Sequence, residues 1–307
     1  MTMLLNVIVP VFAIILAGRV SVLRGWMDTA AIRGMSDLVF YVAMPCLLFD
    51  SIVRAESLTL VDSTLVFFGV TLFIYVLGMV LARLLFGARF ATAAVIGLNA
   101  SFGNAVMMGI PVVVAAFGPE GVTPLLGIIT LHAAVILPVA TILIEFGQAG
   151  EAHPRAVLRA TGLGLSRNPV ILVMAVAFAW RAVDVPMPEV LHNLLKLFGS
   201  AGPPLALFCL GASLPPLRAG VAVIREVALA CVLRLVVSPA LMLLAGSWLG
   251  FSGLSFKVAA LIAGMPTGAN AFLLARRTET AMEASAATVV VATALSVFSL
   301  SVLLMLL

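Results

Sequence analysis

Two short segments hold most of the polar chemistry that this chain places inside apolar sequence: NASFGNAVMMGIP at 99–111 and AGMPTGANAF at 263–272. Proline removes a backbone donor and clashes with the preceding turn, and glycine weakens a helix further. Both segments therefore predict interrupted helices. At membrane depth the freed N–H and C=O groups survive only against protein or a wet cavity. The N-terminus of a resumed half-helix carries about half a positive charge and unpaired N–H groups. Two such breaks meeting would form a polar spot suited to a carboxylate. Asn104 and Asn270 would add amide donors there, and Ser101 and Thr267 hydroxyls. The competing reading is that these are kinks and close-packing glycines of the kind transmembrane helices often carry. Finding two such segments favours the binding reading.

The elements that must position these residues follow from composition. Of 307 residues, 63% are hydrophobic and 10% charged, with a mean hydropathy of +1.25. A soluble domain has about 45–50% apolar and about 25% charged residues, so polar surface is too scarce here to face water. The apolar runs are continuous rather than alternating, which suits helices and not a barrel. Spans of about 20 apolar residues fall at 4–22, 34–54, 63–86, 91–117, 121–146, 169–187, 190–214, 225–249, 254–276 and 282–306. The predicted class is an all-α integral membrane protein of ten transmembrane helices. The fourth and ninth spans hold the two polar segments.

The longest connection, 148–168, separates a first set of five spans (1–147) from a second (169–307). Assigning alternate connections to one side places Arg19, Arg24, Arg33, Arg83, Arg89, Arg155, Arg159, Arg167, Arg218, Arg225, Arg276 and Arg277 together, against Arg54, Arg181 and Lys257. The positive-inside rule then puts the 148–168 linker in the cytoplasm and both termini outside. The 15 arginines among 17 basic residues suggest a bacterial source and thus the inner membrane. Halves of five spans insert with opposite topology, so two homologous halves would be inverted repeats with a site at the midplane. Breakers support that pairing: Pro45 in VAMPCLLF and Pro203–Pro204 in AGPPLALF are read as helix breaks, as is Pro111. The separation is 66 residues from Pro45 to Pro111 and 63 from Pro203 to Pro266.

Charge at membrane depth is a functional hypothesis by default. His132, near the middle of the fifth span, reads either as a proton or anion relay or as a neutral histidine bonded between helices. Arg234, nine residues into the eighth, would neutralise an anion or reach the cytoplasmic interface. Asp37 and Lys196 each precede a proline by eight residues and lie near enough to span ends to snorkel, so their roles stay open. Asp50 and Arg54, four residues apart, read as a surface ion pair. Cys46, Cys209 and Cys231 show no metal-ligand or CxxC spacing, so no metal or cofactor is expected. There is no HExxH, no paired transmembrane aspartate and no nucleophile elbow, and an enzyme is not expected. A net charge of +4 scattered over short loops does not suggest nucleic acid.

FGNAVMMGIP (102–111), AGMPTGANAFLLA (263–275) and SDLVFYVAMPCLLF (36–49) resemble the auxin efflux carrier family of membrane transporters, whose fold is related to the bile acid:sodium symporters. The resemblance follows nearly the whole chain in motif order. It implies broken fourth and ninth helices that cross, with carboxylates bound near the crossing. It also implies a scaffold of spans one, two, six and seven and a transport domain of three to five and eight to ten. By position, Asn104 would be the crossover asparagine, flanked by Gly103, and Pro266 and Gly268 match the family's Pro-x-Gly. Gly103 and Ala271 stand where plant members carry proline. The large hydrophilic central loop of many plant members is missing, as are the Asp and Lys one turn apart in their third helix. The implied function is secondary transport of a small organic anion by alternating access. A dicarboxylate such as malonate, or an auxin-like acid, would be the cargo, with H+ or Na+ as a coupling ion to test and a homodimer as the assembly to test. The alternatives are a sodium-coupled symporter of the bile-acid-related type and, further off, a channel.

Overall fold

The computed structural model describes residues 2–54, 62–149, 166, 169–183, 185–214 and 223–307. The predicted linker lies almost wholly outside them, with Arg155, Arg159, Arg167 and Arg218.

The regular elements among the described residues are helical. In chain order the first are α1 (Thr2–Leu23), α2 (Thr29–Arg54), α3 (Asp62–Phe86), α4 (Phe90–Ser101), α5 (Ala105–Phe117) and α6 (122–149). They continue as α7 (Pro169–Val183), α8 (Glu189–Ser213), α9 (Ile224–Leu249), α10 (Leu254–Ala263), α11 (Ala269–Arg277) and α12 (Met282–Leu306). Thr29–Arg54, Ser63–Phe86, Glu189–Ser213, Ile224–Leu249 and Met282–Leu306 are long and apolar enough to cross a membrane, and shorter apolar helices accompany them. Large apolar side chains such as Leu84, Phe73, Leu197, Phe298 and Trp248 point outward. That surface suits hydrocarbon and would aggregate in water.

The fourth and ninth predicted spans are each interrupted, at 102–104 and at 264–268. The expected breaks at Pro45, Pro203 and Pro204 do not occur. α8 runs through Pro203 and Pro204, and α2 passes Pro45 by widening to a π turn at Val39–Ala43. Pro111 sits at the start of a regular α-helical stretch, after the break and a π turn at Ala105–Gly109. Further π turns lie at His132–Ile136 and Leu233–Val237. Each of the four ends two residues before a proline: Pro45, Pro111, Pro138 and Pro239. An i→i+5 turn moves the upstream carbonyl away from the proline ring that would otherwise strike it.

The chain forms two compact units. The first comprises Met1–Thr59, Val106–Leu126 and Gly162–Leu214. Glycines bring its backbones together: a Cβ on Gly18 would strike the Phe208 carbonyl, and one on Gly211 the Ile15 carbonyl. Gly199 similarly meets Leu47. Close packing through small residues replaces the hydrophobic drive that lipid does not supply. Asp28 caps α2, its carboxylate accepting from the Ala31 N–H at 2.7 Å. Asp50 and Arg54 each engage His192, with Asp50 Oδ1 2.7 Å from Nδ1 and Arg54 Nη1 2.7 Å from Nε2. In place of the expected direct ion pair, both side chains bond one histidine of α8. Asp37 and Lys196 are exposed.

The second unit comprises Leu60–Ala105, Gly127–Thr161 and Pro215–Leu307. At its centre lie α4 and α10, buried from Ala93 to Ser101 and from Val258 to Ala263. They are short, mostly apolar and rich in alanine, as suits helices enclosed by others. Gly97 lets α4 lie against α3, where a Cβ would crowd the Tyr75 carbonyl at 2.6 Å.

Candidate functional site

Within the second unit the two interruptions meet. Residues 102–104 and 266–268 run antiparallel: the Asn104 N–H donates to the Pro266 carbonyl at 2.8 Å and the Gly268 N–H to the Phe102 carbonyl at 2.9 Å. Gly103 and Thr267 face each other as an isolated bridge. Backbone groups that neither broken helix can satisfy alone are satisfied by the other, as hydrocarbon demands. The chain leaves this crossing at Asn104 into α5 and at Gly268 into α11.

Hydroxyl and amide groups around the crossing fasten it. Thr267 Oγ1 donates to the Asn99 carbonyl at 2.7 Å, and Ser285 Oγ of α12 donates to Asn99 Oδ1 at 2.7 Å. The Ser101 hydroxyl turns back toward the Leu98 carbonyl at 3.5 Å. Thr267 thus spends its hydroxyl proton on the chain itself. Asn104 is buried beside Gly103, Pro266 and Ala271 are in or beside the crossing, and Asn270 is exposed on the first turn of α11.

His132 lies against this backbone. The Gly103 N–H donates to its Nε2 at 3.1 Å, so Nε2 is the acceptor nitrogen and the neutral ring carries its proton on Nδ1. Its ring stacks on Phe102 at 4.5 Å between centroids, with Phe67 and Phe68 farther off. Nδ1 has no hydrogen-bond partner among the described residues. It is the atom through which a relay or an anion contact would act.

Arg234 is the residue whose place the sequence did not disclose. It is fully buried, so its guanidinium does not reach the protein surface. Nε donates to the Met265 carbonyl at 2.6 Å, Nη1 to the Ser101 carbonyl at 2.8 Å and Nη2 to the Ile262 carbonyl at 2.8 Å. The Ser101 and Ile262 carbonyls lie in the last turns of α4 and α10 and the Met265 carbonyl in the break just after α10, where carbonyls lack regular intrahelical partners and the helix dipole is negative. One guanidinium closes both half-helices. The signal that could have found it was an arginine in mid-span. Its acceptors, being backbone, leave no mark in the sequence. Asn99 and Ser285 were missed for a related reason, since their pairing joins residues 186 positions apart.

Comparison with known proteins gives this geometry a family. The model of the membrane transport protein family, the auxin efflux carriers, matches residues 3–304. The chain belongs to that family and is a multi-pass membrane transporter. A protein of Rhizobium meliloti (strain 1021) named "Putative malonate transporter" is 27% identical over 304 residues, covering 97% of this chain and 94% of the relative. An uncharacterized transporter of Methanocaldococcus jannaschii is 22% identical over 303 residues, covering 95% of each.

Proposed function

We propose that this protein carries a small organic anion, of the dicarboxylate class that includes malonate, across the bacterial inner membrane by alternating access. The observation that carries the reading is the polarity of the crossing. The negative ends of α4 and α10 are closed by Arg234, while the chain resumes as helix immediately after Asn104 and Gly268. Positive half-helix ends and their N–H groups start from one small region, with the Asn104 amide beside them, and a carboxylate complements them. The malonate in the name of the Rhizobium relative fits an acid of this kind.

The fold reading that goes with it is ten spans in two inverted repeats. A long helix, a glycine turn, a short buried helix, a break and a second short helix occur twice: α3, α4 and α5, and again α9, α10 and α11. Gly87 in one turn and Gly250 in the other both have positive φ. Spans one, two, six and seven serve as scaffold against which the crossing moves, and both termini face the periplasm.

The test is thermal stabilisation of the purified protein by a panel of mono- and dicarboxylates. A ligand that binds only the folded state raises the melting temperature by mass action. One class should stabilise the wild type in a saturable way, and Asn104→Ala should abolish that shift while keeping a cooperative transition of its own. Full transport by Asn104→Ala would remove the crossing as the site.

A further inference from the structure

Carbonyls released by unwound helices and aimed at one point coordinate a bare cation in many membrane proteins, because they replace its hydration shell. The crossing has such a point. The Ser101, Ile262 and Met265 carbonyls converge there, from the ends of two half-helices and the break that follows one of them, and the helix dipoles add to the negative potential. It is filled by the Arg234 guanidinium. None of these three acceptors is a carboxylate; each is a backbone dipole.

We infer that Arg234 is a tethered cation that takes the place of a free coupling ion at the crossing. Transport then draws on no Na+ bound there, and removing the side chain creates a cation site that the wild type does not have.

Gly103 supplies an independent observation. A Cβ at that position would collide with Arg234 Nη2 and crowd Cζ. The guanidinium is held by three bonds to backbone and cannot step aside, so position 103 is kept empty for it. Arginine also ties more of this site together than lysine's single ammonium would. Its planar fork presents five N–H donors in fixed directions, and three of them here reach one carbonyl on each of two helices and a third in the break. The carbonyls it ties lie 28, 31 and 133 residues away in sequence. A cation that cannot leave keeps the two broken helices joined throughout the transport cycle, whereas an exchangeable ion would let them loosen. The inference holds whatever the cargo proves to be, since it concerns the carbonyl side of the crossing.

The experiment is a cation titration of the full-length protein in detergent, read by melting temperature, with choline chloride holding ionic strength constant. Wild type should show no saturable response to Na+ or to guanidinium in the millimolar range. Arg234→Ala should melt lower and regain several degrees, saturably, with millimolar guanidinium or Na+, and nothing with tetramethylammonium. Saturable stabilisation of the wild type by Na+, or an Arg234→Ala protein that no small cation stabilises, would overturn the inference. If Arg234→Ala does not fold, Arg234→Lys decides with the wild type: both should stay indifferent to Na+, and a Na+ response in either is the contrary result. The carboxylate panel is a separate titration, so a failure here is distinguishable from a failure of the anion reading.

Discussion

At Gly103 two demands fall on one residue. Its N–H needs the acceptor that His132 Nε2 supplies at 3.1 Å, and its missing side chain leaves room for Arg234. A buried N–H without a partner costs about 1–3 kcal/mol. His132→Ala should therefore lower the melting temperature by more than His132→Gln, whose side-chain carbonyl can accept from the same N–H. Equal losses would show that the ring's packing on Phe102, not the hydrogen bond, is what the histidine provides. Gly103→Ala should cost more than either in folded yield, yet add little in an Arg234→Ala background, where the collision is gone. Size-exclusion profiles and melting curves of the single and double variants check both statements. At this scale the sequence showed which residues are unusual in their surroundings, Asn104, His132 and Arg234 among them. It did not show whom they serve, because their partners are backbone groups brought near by the break itself.

The breaks themselves were legible as elements. Asn, Gly and Pro inside long apolar runs leave few alternatives, and the interruptions fall at 102–104 and 264–268. Proline alone was the poorer guide. Pro203 and Pro204 lie inside continuous α8, in keeping with the tolerance of membrane helices for proline where neighbours satisfy the freed groups. Elsewhere the chain answers proline with a π turn, and the turn at Leu233–Val237 before Pro239 contains Arg234. One extra residue in a turn rotates the upstream helix by roughly 100°, so this widening sets which way Arg234 points relative to the rest of α9. Pro239→Ala removes the reason for the widening and lets the regular α-helix compete. It should destabilise the protein, and its effect should be strongly non-additive with Arg234→Ala, since both act on the same placement. A double-mutant cycle in melting free energy should return a coupling of about 1 kcal/mol or more, the range seen for residues that share a network. Strict additivity would separate the π turn from the arginine.

For the whole molecule, membrane class followed from composition alone, because no soluble arrangement covers a chain that is 63% hydrophobic. Some span boundaries were close: the predicted 282–306 is Met282–Leu306. The second began five residues earlier than predicted, at Thr29, because the Asp28 cap starts it ahead of its apolar stretch. The proposed opposed insertion of the two halves makes a sharp prediction at the two glycine turns. The turn between α3 and α4 carries Arg83 and Arg89 on its flanks and should lie in the cytoplasm, while the turn between α9 and α10, followed by Lys257, should lie outside. In a background without Cys46, Cys209 and Cys231, a cysteine at Ala88 should resist a membrane-impermeant maleimide added to intact cells. A cysteine at exposed Ser252 should react with it. Labelling of both positions from the same side would contradict inverted repeats even if the two segments share their element order. The opposite pattern, Ala88 outside and Ser252 inside, would keep the repeats and reverse the protein. In that case the arginines were counted on the wrong face, and the crossing would present the same groups to the opposite compartment.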